Sequence, residues 1–148
     1  VGDYDSKIQP FIVWSEENVD RFLWSEGHCY SEKLWLGGIS DAGALLKDGK
    51  VAVIDFKSSK DAYPDQFYQT GLYAKQITEN GILDADGNQL LDKDKFDFPL
   101  IINTLIIVPF GADKIVPRMV YDVDTAVEAG VAALTLYKIN QKLPEFIV

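Results

Sequence analysis

The chain holds 148 residues, with 23 acidic and 14 basic side chains and a net charge of −9. That length suits one domain with a sizeable core, and 47% hydrophobic against 25% charged residues is a globular balance. The acidic total argues against a broad, metal-free basic groove for nucleic acid, though an acidic metal site would itself add negative charge that bound cations offset.

Residues 8–24, "IQPFIVWSEENVDRFLW", mix aromatic and β-branched residues with charges and predict one or two strands. "SEGHCYSEK" (25–33) is polar and predicts a turn. "LWLGGISDAGALL" (34–46) predicts a strand carrying three glycines, and "KDGK" (47–50) a hairpin turn. "VAVIDFKSS" (51–59) is a β-branched strand. Pro64 opens a helix that ends before Gly81. Residues 84–97 form an acidic loop. "PLIINTLIIVPF" (99–110) is the most apolar strand and belongs inside the sheet. "IVPRMVYDV" (115–123) predicts another strand, and residues 124–141 a closing helix. The expected class is α/β, a central mixed sheet flanked by helices. The chain opens on Val1, and we expect one domain over 1–148 that lacks N-terminal elements. No apolar run approaches the ~20 residues of a membrane span, and no signal-peptide pattern is present. One cysteine, Cys29, excludes an internal disulfide and suits the cytoplasm.

"VAVIDFKSSK" raises a chemical question. Residues two apart on a strand share a face, so Asp55 and Lys57 point the same way. A plain ion pair is one reading. The hairpin supplies a second acid, Asp41, whose side depends on the turn. A two-residue Asp48-Gly49 turn sets Asp41 opposite Phe56, on the face away from Asp55. A three-residue Lys47-Asp48-Gly49 loop sets Asp41 opposite Asp55, and Gly49 suits its left-handed position. In that register Gly43 faces Val53 and Leu45 faces Val51. Two aspartates opposed at ~5 Å repel unless a cation lies between them. Oxygen ligands suit Mg²⁺ or Mn²⁺. On the following helix, Gln66, Gln69 and Tyr73 line one face.

The run "GGISDAGALLKDGKVAVIDFKSS…QTGLY" resembles the PD-(D/E)XK nuclease superfamily. It is similar to the RecB-like branch, with CRISPR-associated adaptation nucleases and phage exonucleases. The shared order is Gly-x-x-Asp, then a D-x-K strand, then a Q-x-x-x-Y helix, over about residues 36–76. The resemblance implies a restriction-endonuclease-like core. It implies that Asp41, Asp55 and the Phe56 carbonyl ligate Mg²⁺ or Mn²⁺. Lys57 would orient the attacking water and stabilise charge developing on the phosphate. Gln69 and Tyr73 would place the substrate strand. Relatives carry a further acid upstream, for which Glu16 is preferred over Glu17. His28, the single histidine, is expected to be a plain loop residue.

Other motifs are excluded. No G-x-x-x-x-G-K-[ST] is present, so there is no P-loop. "DADGNQLLDKD" has its glycine at the wrong position for a calcium loop. Cys29 has no histidine partner beyond His28. Trp14, Trp24 and Trp35 are expected to pack on the sheet, with Trp35 the one candidate for base stacking. The implied function is a metal-dependent deoxyribonuclease, an exonuclease of recombination, repair or phage DNA processing. Its partner would be DNA, as single strands or duplex ends, with further protein partners or self-association left open and no membrane. The alternative is a non-catalytic DNA-binding or scaffold domain on the same fold.

Overall fold

The computed structural model describes residues 3–145. Its elements run α1 (Asp3–Asn18), β1 (Val19–Ser31), β2 (Leu36–Leu46), β3 (Val51–Lys57), α2 (Pro64–Asn80), β4 (Thr104–Pro109), β5 (Arg118–Val120) and α3 (Val123–Lys142), with a 3-10 turn at Leu143–Glu145. The five strands form one sheet in the order β1-β2-β3-β4-β5. Only β3 and β4 pair in parallel; the other neighbours are antiparallel. The mixed sheet flanked by helices is therefore present. Among the described residues, no helix is long and apolar enough to cross a membrane.

β3 and β4 form the centre. All six residues of β4 are buried, as are Val51 to Asp55 of β3. Fully burying each large aliphatic side chain contributes about 1.5–3 kcal/mol. α2 can return β4 beside β3 in parallel because it forms the crossover between them.

The sheet has two dressed faces. On one, Ala42, Ala44, Ala52, Ile54, Ile106 and Val108 meet Ile8, Phe11 and Trp14 of α1. On the other, Val51, Val53 and Leu105 meet Ala74 and Ile77 of α2 and Ala126 of α3. α3 lies close on α2 because Gly71 and Gly130 carry no Cβ. A methyl at Gly71 would lie 2.9 Å from the Ala126 carbonyl carbon, and one at Gly130 would lie 2.9 Å from Leu72 Cγ.

Three expectations need correction. Residues 8–18 are helical, not extended. Ile8, Phe11 and Trp14 recur at about one helical turn, and their common side packs on the sheet. Pro10 cannot donate to the Ser6 carbonyl four residues back. Lys114 Nζ donates there instead, at 3.3 Å, and Ile115 N–H donates to the Lys7 carbonyl at 2.8 Å. The helix is thus completed by a distant loop. Second, residues 25–31 are strand. β1 runs on to Ser31 and pairs with β2 as far as Leu36, so His28 lies in a strand rather than a loop. Its N–H and carbonyl also pair with Leu83, both at 2.8 Å. The apolar run at 99–110 is strand only from Thr104.

Candidate active site

The β2–β3 hairpin closes through three residues. Leu46 N–H donates to the Lys50 carbonyl at 2.8 Å, and Gly49 N–H to the Leu46 carbonyl at 2.9 Å. Gly49 has φ 89°, the left-handed conformation that closes such a loop at little steric cost. The register follows: Leu45 pairs with Val51, Gly43 with Val53 and Ala42 with Ile54.

Beyond Ala42 and Ile54 the two strands part. β3 stays paired with β4 through Lys57, and β2 stays paired with β1 back to Leu36. The sheet therefore forks, and Asp41 and Asp55 are the first residues past the fork. Asp41 Oδ2 accepts the Phe56 N–H at 2.9 Å, taking a backbone donor that the β2 ladder no longer reaches. The Phe56 ring lies on the opposite face against Phe11 and Phe110. Its N–H is thus anchored by the sheet's own packing.

The Asp41 carboxyl lies close enough to Asp55 to hold its proton more tightly. The Asp55 side chain is only 6% exposed, and its Oδ2 meets Lys57 Nζ at 2.8 Å. That contact is an ion pair rather than a well-directed hydrogen bond, because Oδ2 has no partner of hydrogen-bond geometry. Burial first, then the neighbouring Asp41 carboxyl, push the Asp55 carboxyl up to about 6, against the pull of Lys57. The site is electrostatically short of positive charge.

α2 supplies the opposite wall. Gln69 Oε1 accepts from Lys57 Nζ at 2.8 Å, so one ammonium is held by strand and helix together. Burial, followed by the Asp55, Cys29 and Asp41 charges, raises the Tyr73 phenol above its ordinary value. Tyr73 therefore lies within electrostatic range of the acid pair, one helical turn after Gln69. Its ring fits because Gly38 lacks a side chain: a methyl there would lie 2.8 Å from Tyr73 Cε1. The need for this glycine is readable from "GGISD" only once the helix is in place. Gln66 departs from the group. Its Oε1 accepts the Tyr63 N–H at 3.0 Å and its Nε2 donates to Ser59 Oγ at 3.0 Å, which fixes the start of α2.

The structure brings together Asp41, Asp55, Lys57, Gln69 and Tyr73, with the Phe56 backbone at the same point. It does not bring Glu16 there. Glu16 lies on α1, which covers the other face of the sheet. The Glu16 carbonyl accepts from Lys47 Nζ at the hairpin tip, six residues from Asp41 along β2, a rise of roughly 20 Å. Glu17 stands on the same helix. The acid predicted from a strand setting is displaced because that setting is helical. Among the described residues, no cluster of three or more His, Cys, Asp or Glu side chains gathers to hold a metal. Cys29 is buried and its thiol is pushed up to about 12 by burial, so it is no nucleophile at neutral pH.

Comparison with known proteins gives no matching family model and no match among the curated proteins.

Proposed function

We propose that the chain is a Mg²⁺- or Mn²⁺-dependent deoxyribonuclease on a restriction-endonuclease-like core, acting as an exonuclease in recombination, repair or phage DNA processing. One observation carries this reading: Asp41 and Asp55 are the first residues past a fork of the sheet, with Asp41 bonded to the Phe56 N–H and Asp55 buried beside Lys57. Two acids held in contact are strained by repulsion when both ionise, and a hard divalent cation relieves that strain.

The donor set fits such an ion. Asp55 Oδ2 is buried without a hydrogen bond, Asp41 is half-buried beside it, and both offer oxygen. Asp41, Asp55 and the Phe56 carbonyl would hold the ion, with water filling its remaining positions. A bound divalent cation supplies Lewis acidity toward a phosphodiester and activates water at neutral pH.

The chain's own groups do the rest. Lys57 Nζ is held by Asp55 and Gln69, and its side chain is 25% exposed. It is therefore preorganised yet open to a phosphate. An ammonium fixed in this way stabilises negative charge that grows in the transition state. Gln69 sets the direction of that ammonium. Tyr73 remains a neutral phenol at physiological pH and offers a hydrogen bond to a substrate oxygen.

Calorimetric titration of Mn²⁺ into wild type, Asp41→Asn and Asp55→Asn tests the reading. Wild type should bind and both variants should lose most of that binding. Absence of binding by wild type at millimolar Mn²⁺ would reject the catalytic assignment. Binding of metal and DNA without strand cleavage would favour the non-catalytic alternative.

A further inference from the structure

α3 buries one side and leaves the other bare. Ala126 and Gly130 pack on α2, and Val123, Val127 and Leu134 on the same side are half-buried. The opposite side carries Thr125, Ala129, Ala132, Leu136, Ile139 and Leu143, at steps of four, three, four, three and four residues. That spacing is the seam by which one helix packs along another. Leu136, Ile139 and Leu143 are 59%, 53% and 47% exposed, so among the described residues nothing covers the large end of this seam. Leu143 keeps helical backbone angles, φ −53° and ψ −40°, and extends it. The outer half of α3 is also held in place, because Lys138 donates to the Leu34 carbonyl between β1 and β2. A fixed helix thus presents an ordered apolar stripe to water, as interaction surfaces do.

We infer that this seam is the interface of a two-fold dimer, in which α3 packs antiparallel on α3 of a second copy of the chain. The inference stands apart from the nuclease reading. Two features of the helix select a second copy in that orientation. The first is volume. Small residues fill the N-terminal half of the seam and large ones the C-terminal half. A two-fold axis beside residue 134 sets Ala132 against the partner's Leu136, Ala129 against the partner's Ile139 and Thr125 against the partner's Leu143. Every layer then joins a small side chain to a large one, and the helices close without voids. A parallel pair would set alanine on alanine at one end and leucine on leucine at the other. The second feature is charge. Asp124 and Glu128 lie in the N-terminal half of α3, Lys138 and Lys142 in the C-terminal half. Glu128 flanks the seam between Thr125 and Ala129, and Lys142 flanks it on the same side between Ile139 and Leu143. The antiparallel register brings Glu128 to the partner's Lys142, twice by symmetry, whereas a parallel pair brings acid to acid. A two-fold contact uses one patch on both copies and closes at two. The seam runs roughly 27 Å from Thr125 to Leu143. So short a contact gives a reversible dimer rather than an obligate one.

Sedimentation equilibrium of the full chain at low salt, over a concentration series from micromolar to millimolar, tests the proposal. Wild type should pass reversibly from monomer to dimer. Leu136→Glu sets an unpaired charge in the seam of each copy and should weaken association about a hundredfold. Its site is exposed in the monomer, so the fold should survive, which circular dichroism checks. Glu128→Lys and Lys142→Glu each bring like charges together twice per dimer and should weaken association about tenfold. The double variant Glu128→Lys with Lys142→Glu should regain most of the wild-type affinity, and this pair carries the test even where Leu136→Glu fails to fold. A chain that stays monomeric throughout the series overturns the proposal, whatever else covers the seam. A dimer indifferent to Leu136→Glu lies elsewhere and overturns it as well. Failure of the double variant to recover what each single variant loses overturns the antiparallel register.

Discussion

Asp41 accepts the Phe56 N–H at 2.9 Å at the point where β2 and β3 part. One carboxylate therefore does two things. It closes a backbone bond that the ladder has abandoned, and it faces Asp55. The two roles separate by substitution. Asp41→Asn keeps an oxygen acceptor for Phe56 and should change stability little. Asp41→Ala leaves that donor without a partner and should lower stability by ~1–3 kcal/mol. Both should abolish metal binding. Chemical denaturation together with calorimetry reads the two effects. Equal stability of the two variants would show that the Phe56 bond is not structural.

Asp55 gives a pH signature. Its carboxyl is raised from 3.8 to about 6 in the fold, by burial and by Asp41. The folded chain thus keeps a proton that the unfolded chain releases. This contribution to stability is full below about pH 4 and is lost as pH rises through about 6. Asp55→Asn removes that loss. It should be at least as stable as wild type above neutrality, and its melting curve should lose part of its slope between about pH 4 and 6. Mn²⁺ should raise the wild-type Tm and leave the variant unchanged. A variant markedly less stable than wild type at pH 8 would mean that the Lys57 ion pair is chiefly structural.

Lys57 should behave differently from the acids. Lys57→Ala removes a positive charge beside the pair, so metal affinity should hold or tighten. Turnover should fall ~10²–10³-fold, the scale expected for loss of one group that stabilises transition-state charge. Gln69→Ala leaves the ammonium in place but unguided, and a smaller fall is expected. Side-by-side kcat and metal affinity for both variants check this ordering. A metal-binding loss in Lys57→Ala equal to its activity loss would refute it.

Two glycines should separate folding from function. A Cβ at Gly43 would collide with the ring of Trp24, which is buried and donates to Ser40 Oγ at 3.1 Å. Gly43→Ala should cost about 1–3 kcal/mol through overpacking. Gly38→Ala presses on the ring of Tyr73, 2.8 Å from its Cε1. It should lower activity more than stability. Thermal melts and single-turnover rates on both variants decide it; a stable, fully active Gly38→Ala would remove Tyr73 from the site.

Several of these relationships are legible in the sequence, and the reason is local. Gly49 fixes the loop, the loop fixes the register, and the register sets Asp41 beside Asp55. Pro64 marks the start of α2, and Gln69 and Tyr73 then fall on one side by helical spacing. What escapes local reading depends on distant chain. The β-branched and aromatic residues before Asn18, with Pro10 among them, look extended. Their helix is completed by Lys114 and Ile115, about a hundred residues later. Glu16, expected near the acids, lies across the sheet from them for the same reason. Residues 25–31 are polar because β1 borders the sheet, and their strand character comes from pairing with β2. Gln66 shares the periodicity of Gln69, yet its amide is committed to the start of α2.

The most direct measurement is a cleavage time course on end-labelled single- and double-stranded DNA, with Mn²⁺, for wild type and Asp55→Asn in parallel. Wild type should shorten the strand, chelation of the metal should stop it, and Asp55→Asn should lose orders of magnitude in rate while remaining folded. DNA left intact by folded wild type in Mn²⁺, or cut equally well by Asp55→Asn, would mean that the Asp41–Asp55 pair is not the centre of a metal-dependent nuclease.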